Sequence, residues 1–151
     1  MAGPLSGIRV IDASLVVSGP LAAMMLADQG ADVIRVESLS PGDTLRGKNF
    51  ERGGMTSFYL NCNRGKRGIA LDLREREGLE VARELVKGAD VFIQNWRPGT
   101  AERLELDEAR MRELNPELIY CSISGYGPSG PYAQRRSYDP IIQGITGHTA
   151  I

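Results

Sequence analysis

The arginines of this chain stand where a phosphate-bearing ligand would need them. Arg74 follows the run "GIALDL", Arg97 and Arg103 lie in "NWRPGTAER" after "DVFIQ", and Arg135-Arg136 end the glycine loop after "LIYCSIS". Each run reads as a strand, so basic groups gather just past strand ends in a chain of formal net charge −1. Open α/β sheets bind ligands at the carboxyl ends of their strands. A guanidinium fork makes paired, charge-assisted hydrogen bonds to phosphate oxygens. The pattern fits a ligand carrying several phosphates. The competing reading is a set of solvated surface arginines, and residue type alone does not choose between them.

Three other stretches carry candidate chemistry. "SYDPIIQGITGHTAI" places Tyr138 and Asp139 ahead of the only histidine, His148. Asp139 reads as the N-cap of a helix opening at Pro140, and also as a residue bordering a site. His148 reads as a loop residue or a satisfied polar group rather than an acid–base catalyst. "NCNRGKRG" carries Arg64, Lys66 and Arg67 ahead of a strand, which predicts an exposed basic turn unless it reaches the site or a second subunit. Ser18-Gly19-Pro20 follows the first strand, where a dinucleotide-binding unit would carry G-x-G-x-x-G. Glu37 ends the second strand, but one acid without the glycines is a weak NAD signal. The helix start at Gly19 still offers free N–H groups to a phosphate.

Alternating elements must position these residues. Strands are predicted at Ile8–Asp12, Asp32–Glu37, Gly68–Leu73, Asp90–Gln94 and Leu118–Ser124. A helix over Gly19–Gly30 is apolar all round, which predicts burial on more than one side. The clearest helix spans Arg74–Gly88, with Leu79, Ala82, Leu85 and Val86 on one face and Gly88 as its cap. Another helical stretch runs through "LDEARMRELNP". The segment from Ser38 to Phe58 reads as one long loop, of a length that is usually functional or mobile. Apolar strands separated by helices define the α/β class, with a parallel sheet covered on both faces.

Composition bounds the rest. The 151 residues suit one domain, and 42% hydrophobic with 25% charged content is ordinary for a soluble globular chain. The charge balance argues against a general nucleic-acid binder. Cys62 and Cys121 have no metal-ligand or framework spacing, so free, buried thiols in a reduced, cytoplasmic setting are expected. "MAGPLSGIRVID" lacks the features of a signal peptide. No apolar run approaches the roughly 20 residues of a membrane helix.

The chain also resembles a known family, the class III CoA-transferases, which include formyl-CoA transferase, carnitine CoA-transferase and α-methylacyl-CoA racemase. The resemblance is carried in order by "PLSGIRVIDAS", "SGPLAAMMLADQGADVIRVE", "NCNRGKRGIALDL", "ADVFIQNWRPG", "NPELIYCSISGYGPSGPY" and "YDPIIQGITG". It runs from about Leu5 to about Gly147. It implies a Rossmann-like large domain that binds coenzyme A as acyl-CoA substrate, rather than NAD, with no metal. Residues 1–151 would be the N-terminal part of that domain, with the second domain and C-terminal part absent.

The resemblance also implies the site. CoA contacts map onto Val17 and Ser18 after the first strand and Ser38 after the second. They continue through Leu71, Asp72, Leu73 and Arg74, then Asn95, Trp96, Arg97 and Arg103. They end with Arg136, Ser137, Tyr138 and Asp139, the last also a candidate accessory catalytic group. Some family members carry glutamine where Val17 stands and arginine where Ser38 stands, so those side-chain contacts do not carry over.

The implied reaction moves CoA between an acyl-CoA thioester and a free carboxylic acid. An aspartate attacks the thioester, an acyl–aspartyl anhydride forms, then an aspartyl–CoA thioester, and the acceptor acid takes the CoA. That aspartate belongs to a Gly-Asp motif expected past Ile151, so the 151-residue chain alone is expected to be inactive. Racemases of the family have a histidine immediately before the position of Asp139. Here Tyr138 stands there, and a phenol is a poor base at neutral pH. The transferase reading follows, with a racemase-like enzyme or a non-catalytic CoA-binding fragment as alternatives. Family members form interlocked homodimers, so the fragment alone is expected to expose apolar surface.

Overall fold

Short runs rich in valine and isoleucine alternate their side chains between two faces, and the sheet they build has a core on each side. The computed structural model of the chain describes residues 3–40, 42–47 and 51–150. In chain order the strands are β1 (Arg9–Asp12), β2 (Asp32–Ser38), β3 (Glu51–Arg52), β4 (Met55–Thr56), β5 (Arg67–Leu71), β6 (Val91–Gln94) and β7 (Ile119–Ser122). The helices are α1 (Ser18–Asp28), α2 (Ser57–Asn63), α3 (Arg76–Lys87), α4 (Thr100–Arg103), α5 (Glu108–Leu114) and α6 (Asp139–Ile145), followed by a 3-10 turn at His148–Ala150. The main sheet has the order β5-β2-β1-β6-β7, and all its pairings are parallel.

The pleat divides the apolar residues. Val10, Val33 and Ile93 pack with Ala23 of α1 on one face. Ile11, Ile34 and Phe92 pack with Ala82 and Val86 of α3, and with Met111 of α5, on the other. Asp12 and Arg35 follow Val10 and Val33 by two residues, so the period that buries the valines also turns these charges inward, on the α1 side. Both are buried.

Several expectations change in detail. The stretch expected as one loop from Ser38 to Phe58 contains the β3–β4 hairpin, and α2 begins at Ser57. Thr56 caps α2 by accepting from the Tyr59 N–H at 3.0 Å, and Tyr59 and Cys62 are buried. Residues 41 and 48–50 of that stretch lie outside the described residues. The short helix α4 was not expected. Helix α1, expected to be buried on more than one side, buries Gly19, Pro20, Ala23 and Met24 and leaves Met25 57% exposed. The edge strand β7 is not buried on both faces: Ile119 is 63% exposed. Cys62 is buried and Cys121 half-buried, both as free thiols. Among the described residues no helix is long and apolar enough to cross a membrane.

Candidate functional site

The chain steps outward from β1 to β2 to β5, then returns to set β6 on the other side of β1. The connections diverge between the carboxyl ends of β1 and β6, and such a divergence leaves a crevice where α/β sheets hold ligands. Asn95, the first residue past β6, spans it. Its Oδ1 accepts from the Leu15 N–H at 2.7 Å. Its Nδ2 donates to the Leu15 carbonyl at 2.7 Å and to Ser18 Oγ at 3.0 Å. Between those anchors Val16 has a φ of 61°, which a β-branched residue rarely adopts. A Cβ on Gly19 would sit 2.2 Å from the Ser14 side chain, so only glycine lets α1 start this close to the strand end.

A buried ion cluster supports the same loop from below. Arg35 donates to Asp12 Oδ2 at 3.2 Å, to the Ser14 carbonyl at 2.5 Å, and to Asp43. Lys66 donates to Asp12 Oδ2 at 2.8 Å, to the Pro20 carbonyl at 2.8 Å and to Asn63 Oδ1 at 2.9 Å. Asp12 also accepts from the Ser14 N–H at 3.1 Å and from its hydroxyl. The Lys66 side chain is only 1% exposed. Burial pushes its ammonium below the usual lysine range, and Asp12 opposes that push. Of the basic turn expected at Asn61–Gly68, then, Lys66 is internal. Arg64 pairs with Asp28 and Arg67 with Asp32 at the surface.

Past β5, Asp72 accepts from the Arg74 guanidinium at 2.9 and 2.7 Å and from the Arg74 N–H at 3.0 Å. Those bonds hold the Asp72 carboxyl down to about 2. Leu73 and Arg74 line a cavity of about 500 Å³ together with Leu79 and Arg83 of α3, Arg103 of α4, and Leu104. Arg103 donates to Thr100 Oγ1 at 2.8 Å, and Arg97 is exposed. Leu71 is buried, so its side chain belongs to the core rather than the cleft. The Trp96 ring packs edge-on against Phe92 at 6.2 Å between centroids. Val17 is half-buried, and its carbonyl accepts from the Leu21 N–H at 2.8 Å. Ser38 is exposed and donates to the Ser40 carbonyl at 2.9 Å.

Glu37 is committed elsewhere. It accepts two bonds from Arg46 at 2.8 Å and one from the Tyr59 hydroxyl at 2.5 Å. Burial pushes its carboxyl up, but the Arg46 and Tyr59 bonds outweigh that and hold it below its ordinary range. Tyr59 is pushed up, by burial first and Glu37 second. A ribose-binding role for Glu37 would require breaking this set.

The last candidate segment is seated beside β7. A Cβ on Gly125 would lie 1.9 Å from Ser137 Oγ and 3.2 Å from Ile142 Cδ1, so the chain returns to the carboxyl edge at Ser137. The capping expectation for Asp139 is corrected. Tyr138 is the N-cap residue, with no side-chain capping bond, and Asp139 is the first helical residue. Its carboxylate accepts from Gln143 one turn on, so the side chain bonds along the helix rather than back across its start. Arg136, Tyr138 and Asp139 are exposed, as is His148.

The ion cluster, the Arg46–Glu37–Tyr59 set and the left-handed Val16 were missed by sequence reasoning. One signal was available. Arg35 sits inside the apolar run "DVIRVE" at an inward position, and a charge there needs a buried partner.

The family model for CoA-transferase family III matches residues 5–151. The chain is 46% identical to succinate–glutarate CoA-transferase of Agrobacterium fabrum, over 98% of this chain and 39% of that protein. It is 39% identical to human succinyl-CoA:glutarate CoA-transferase, over 95% of this chain and 33% of that protein. A CAIB/BAIF family protein from Brucella suis superposes with a TM-score of 0.89 at 42% identity, covering 97% of this chain and 40% of that one. The chain belongs to CoA-transferase family III, and it spans 33–39% of the length of these curated relatives.

Proposed function

We propose that this chain is the N-terminal part of the large, CoA-binding domain of an acyl-CoA:carboxylate CoA-transferase. The observation that carries the proposal is a division among the arginines. Arg9, Arg35, Arg46, Arg64, Arg67, Arg74, Arg76, Arg83, Arg110 and Arg112 each hold a carboxylate. Among the described residues Arg97, Arg103, Arg135 and Arg136, all following β6 or β7, and Arg52 of the hairpin hold none. Arg103 bonds only the neutral Thr100 hydroxyl and Arg135 lies over the Tyr132 ring, so their charges stay uncompensated by carboxylates. Such cations at the ligand-binding edge suit the phosphates of CoA.

In this reading Arg74 and Arg103 bring their charge to the nucleotide end, in the cavity between α3 and α4. The acyl end runs toward the crevice at Val17, Ser18 and Asn95, with Ser38, the backbone of Leu71, Asp72 and Leu73 along the way. Trp96 and Arg97 lie beyond Asn95, and Arg136, Ser137, Tyr138 and Asp139 border the far side. Relatives are named for succinate, glutarate, malate and oxalate, so a short dicarboxylic acid is the proposed partner of the thioester. The nucleophilic aspartate implied by the family is not among the residues assigned here. A cytoplasmic, interlocked homodimer is the proposed form of the longer protein. The exposed Ile119, Ile141 and Ile145 favour a covering partner.

Calorimetric titration of the chain with CoA tests the binding. Heat that saturates, with affinity falling as salt rises, is expected. No heat at millimolar CoA overturns the assignment. Transfer of CoA from succinyl-CoA to a panel of dicarboxylates, catalysed by a longer gene product, tests the activity.

A further inference from the structure

We infer that Asn95 is a positioning residue, holding Val16 in its left-handed conformation so that Val17, Ser18 and the start of α1 face the crevice in one fixed arrangement. The inference rests on the CoA-transferase reading and deepens it, because the family resemblance made Asn95 only a ligand contact. Its amide is already committed: the oxygen takes the Leu15 N–H, and the nitrogen takes the Leu15 carbonyl and Ser18 Oγ. Those bonds use both hydrogens of the NH2 group and one lone pair of the oxygen. What remains for a ligand is the second lone pair, which a phosphate or a thioester carbonyl cannot use, since both are acceptors.

The backbone between the anchors explains why a clamp is needed. A valine at φ 61° is strained, and such residues persist only where their surroundings over-determine them. The bonds to Leu15 fix the residue before Val16, and the bond to Ser18 fixes the residue two beyond it. From below, Arg35 holds the Ser14 carbonyl and Lys66 the Pro20 carbonyl. Among the described residues the N–H groups of Val16, Val17, Ser18 and Gly19 have no acceptor, while that of Leu21 bonds Val17. The strain therefore sits where four successive donors are kept free at the start of an 11-residue helix. Truncating Asn95 releases the turn while leaving the N–H groups of Val16 to Gly19 in the chain.

The test is a double-mutant cycle between Asn95→Ala and Val16→Gly, read by CoA titration and by amide exchange at Leu15. Glycine adopts the left-handed region freely, so it makes the clamp partly redundant. In the valine background, loss of the clamp is expected to weaken CoA binding roughly tenfold, from hydrogen bonds of about 1 kcal/mol each. In the Val16→Gly background the same truncation is expected to cost less than about threefold. Equal penalties in both backgrounds overturn the inference, because a direct ligand contact is indifferent to Val16. Leu15 exchange is measured without CoA, and at least a tenfold acceleration in Asn95→Ala is expected. Unchanged exchange overturns the clamp. If the unmutated chain binds no CoA, the CoA reading fails on its own, and the exchange result still decides the clamp.

Discussion

Lys66→Met should unfold the chain about 10 °C earlier, although it alters one residue in a turn that reads as surface. The ammonium is 1% exposed and Asp12 is fully buried. Replacing lysine with methionine keeps the aliphatic length but leaves Asp12 with one cation, and the Pro20 carbonyl and Asn63 Oδ1 without this donor. Removing one partner of a buried pair costs about 3–5 kcal/mol. Arg35 and the Ser14 hydroxyl still hold Asp12, which places the loss near the lower end, about 3 kcal/mol. At roughly 2–4 °C per kcal/mol for a domain of this size, the midpoint falls by about 10 °C. Arg76→Gln is the control, since that pair is 87% and 55% exposed. An exposed i,i+4 pair is worth at most about 0.5 kcal/mol. Thermal denaturation followed by far-ultraviolet circular dichroism at neutral pH compares the two. Midpoints within about 2 °C of each other would refute the claim that the cluster supports the β1–α1 loop. If Lys66→Met does not fold, Asn63→Ala removes one acceptor of Lys66 and one donor to the Tyr59 carbonyl, and should cost about 2 kcal/mol.

Two further outcomes are expected. Arg103→Met should weaken CoA binding about tenfold or more and flatten its salt dependence, as loss of a hydrogen bond to a charged group implies. Lys87→Met, on the last turn of α3, should do neither, and titrations at two ionic strengths distinguish them. Glu37, Asp32 and Asp107 are all held below their ordinary range. Groups with depressed folded values stabilise fully above their unfolded values, here 3.8 to 4.5, and lose that stabilisation as pH falls through the folded ones. The melting midpoint should therefore hold near neutrality and drop below about pH 4.5. Arg46→Met should flatten that drop, and a pH-independent midpoint down to pH 3 would contradict the assignment.

The sheet was legible because its strands carry the signal themselves. "DVIRVE" and "DVFIQ" are β-branched or aromatic and bounded by turn residues, and both form strands close to where expected. Helix α3 shows its buried face at three- and four-residue spacing. Helix α2 was hidden because "TSFYLNCN" is short and sits behind a glycine-rich hairpin, so its cap at Thr56 went unread. The arginines past the strands were visible as residues. What separates them, a carboxylate partner at Arg74 and none at Arg97, Arg103, Arg135 and Arg136 among the described residues, depends on contacts that no spacing encodes. The same holds for Lys66 and Asp12, which lie 54 residues apart and meet only through the fold. Asp139 illustrates the opposite error. Its sequence context favours a cap, yet the helix starts one residue earlier and the carboxylate turns to Gln143.

The central position of β1 has a consequence for synthesis on the ribosome. Its partner β2 follows soon after, but its other partner, β6, is not complete until Gln94 has been made. Translation at about 5–20 residues per second puts several seconds between Ser38 and Gln94. During that interval the innermost strand has one open edge, with Val10 and Ile11 not yet flanked by β6. A nascent chain in that state is exposed to strand-pairing with a neighbour on the same message, and a chaperone that shields it need act only until residue 94 emerges.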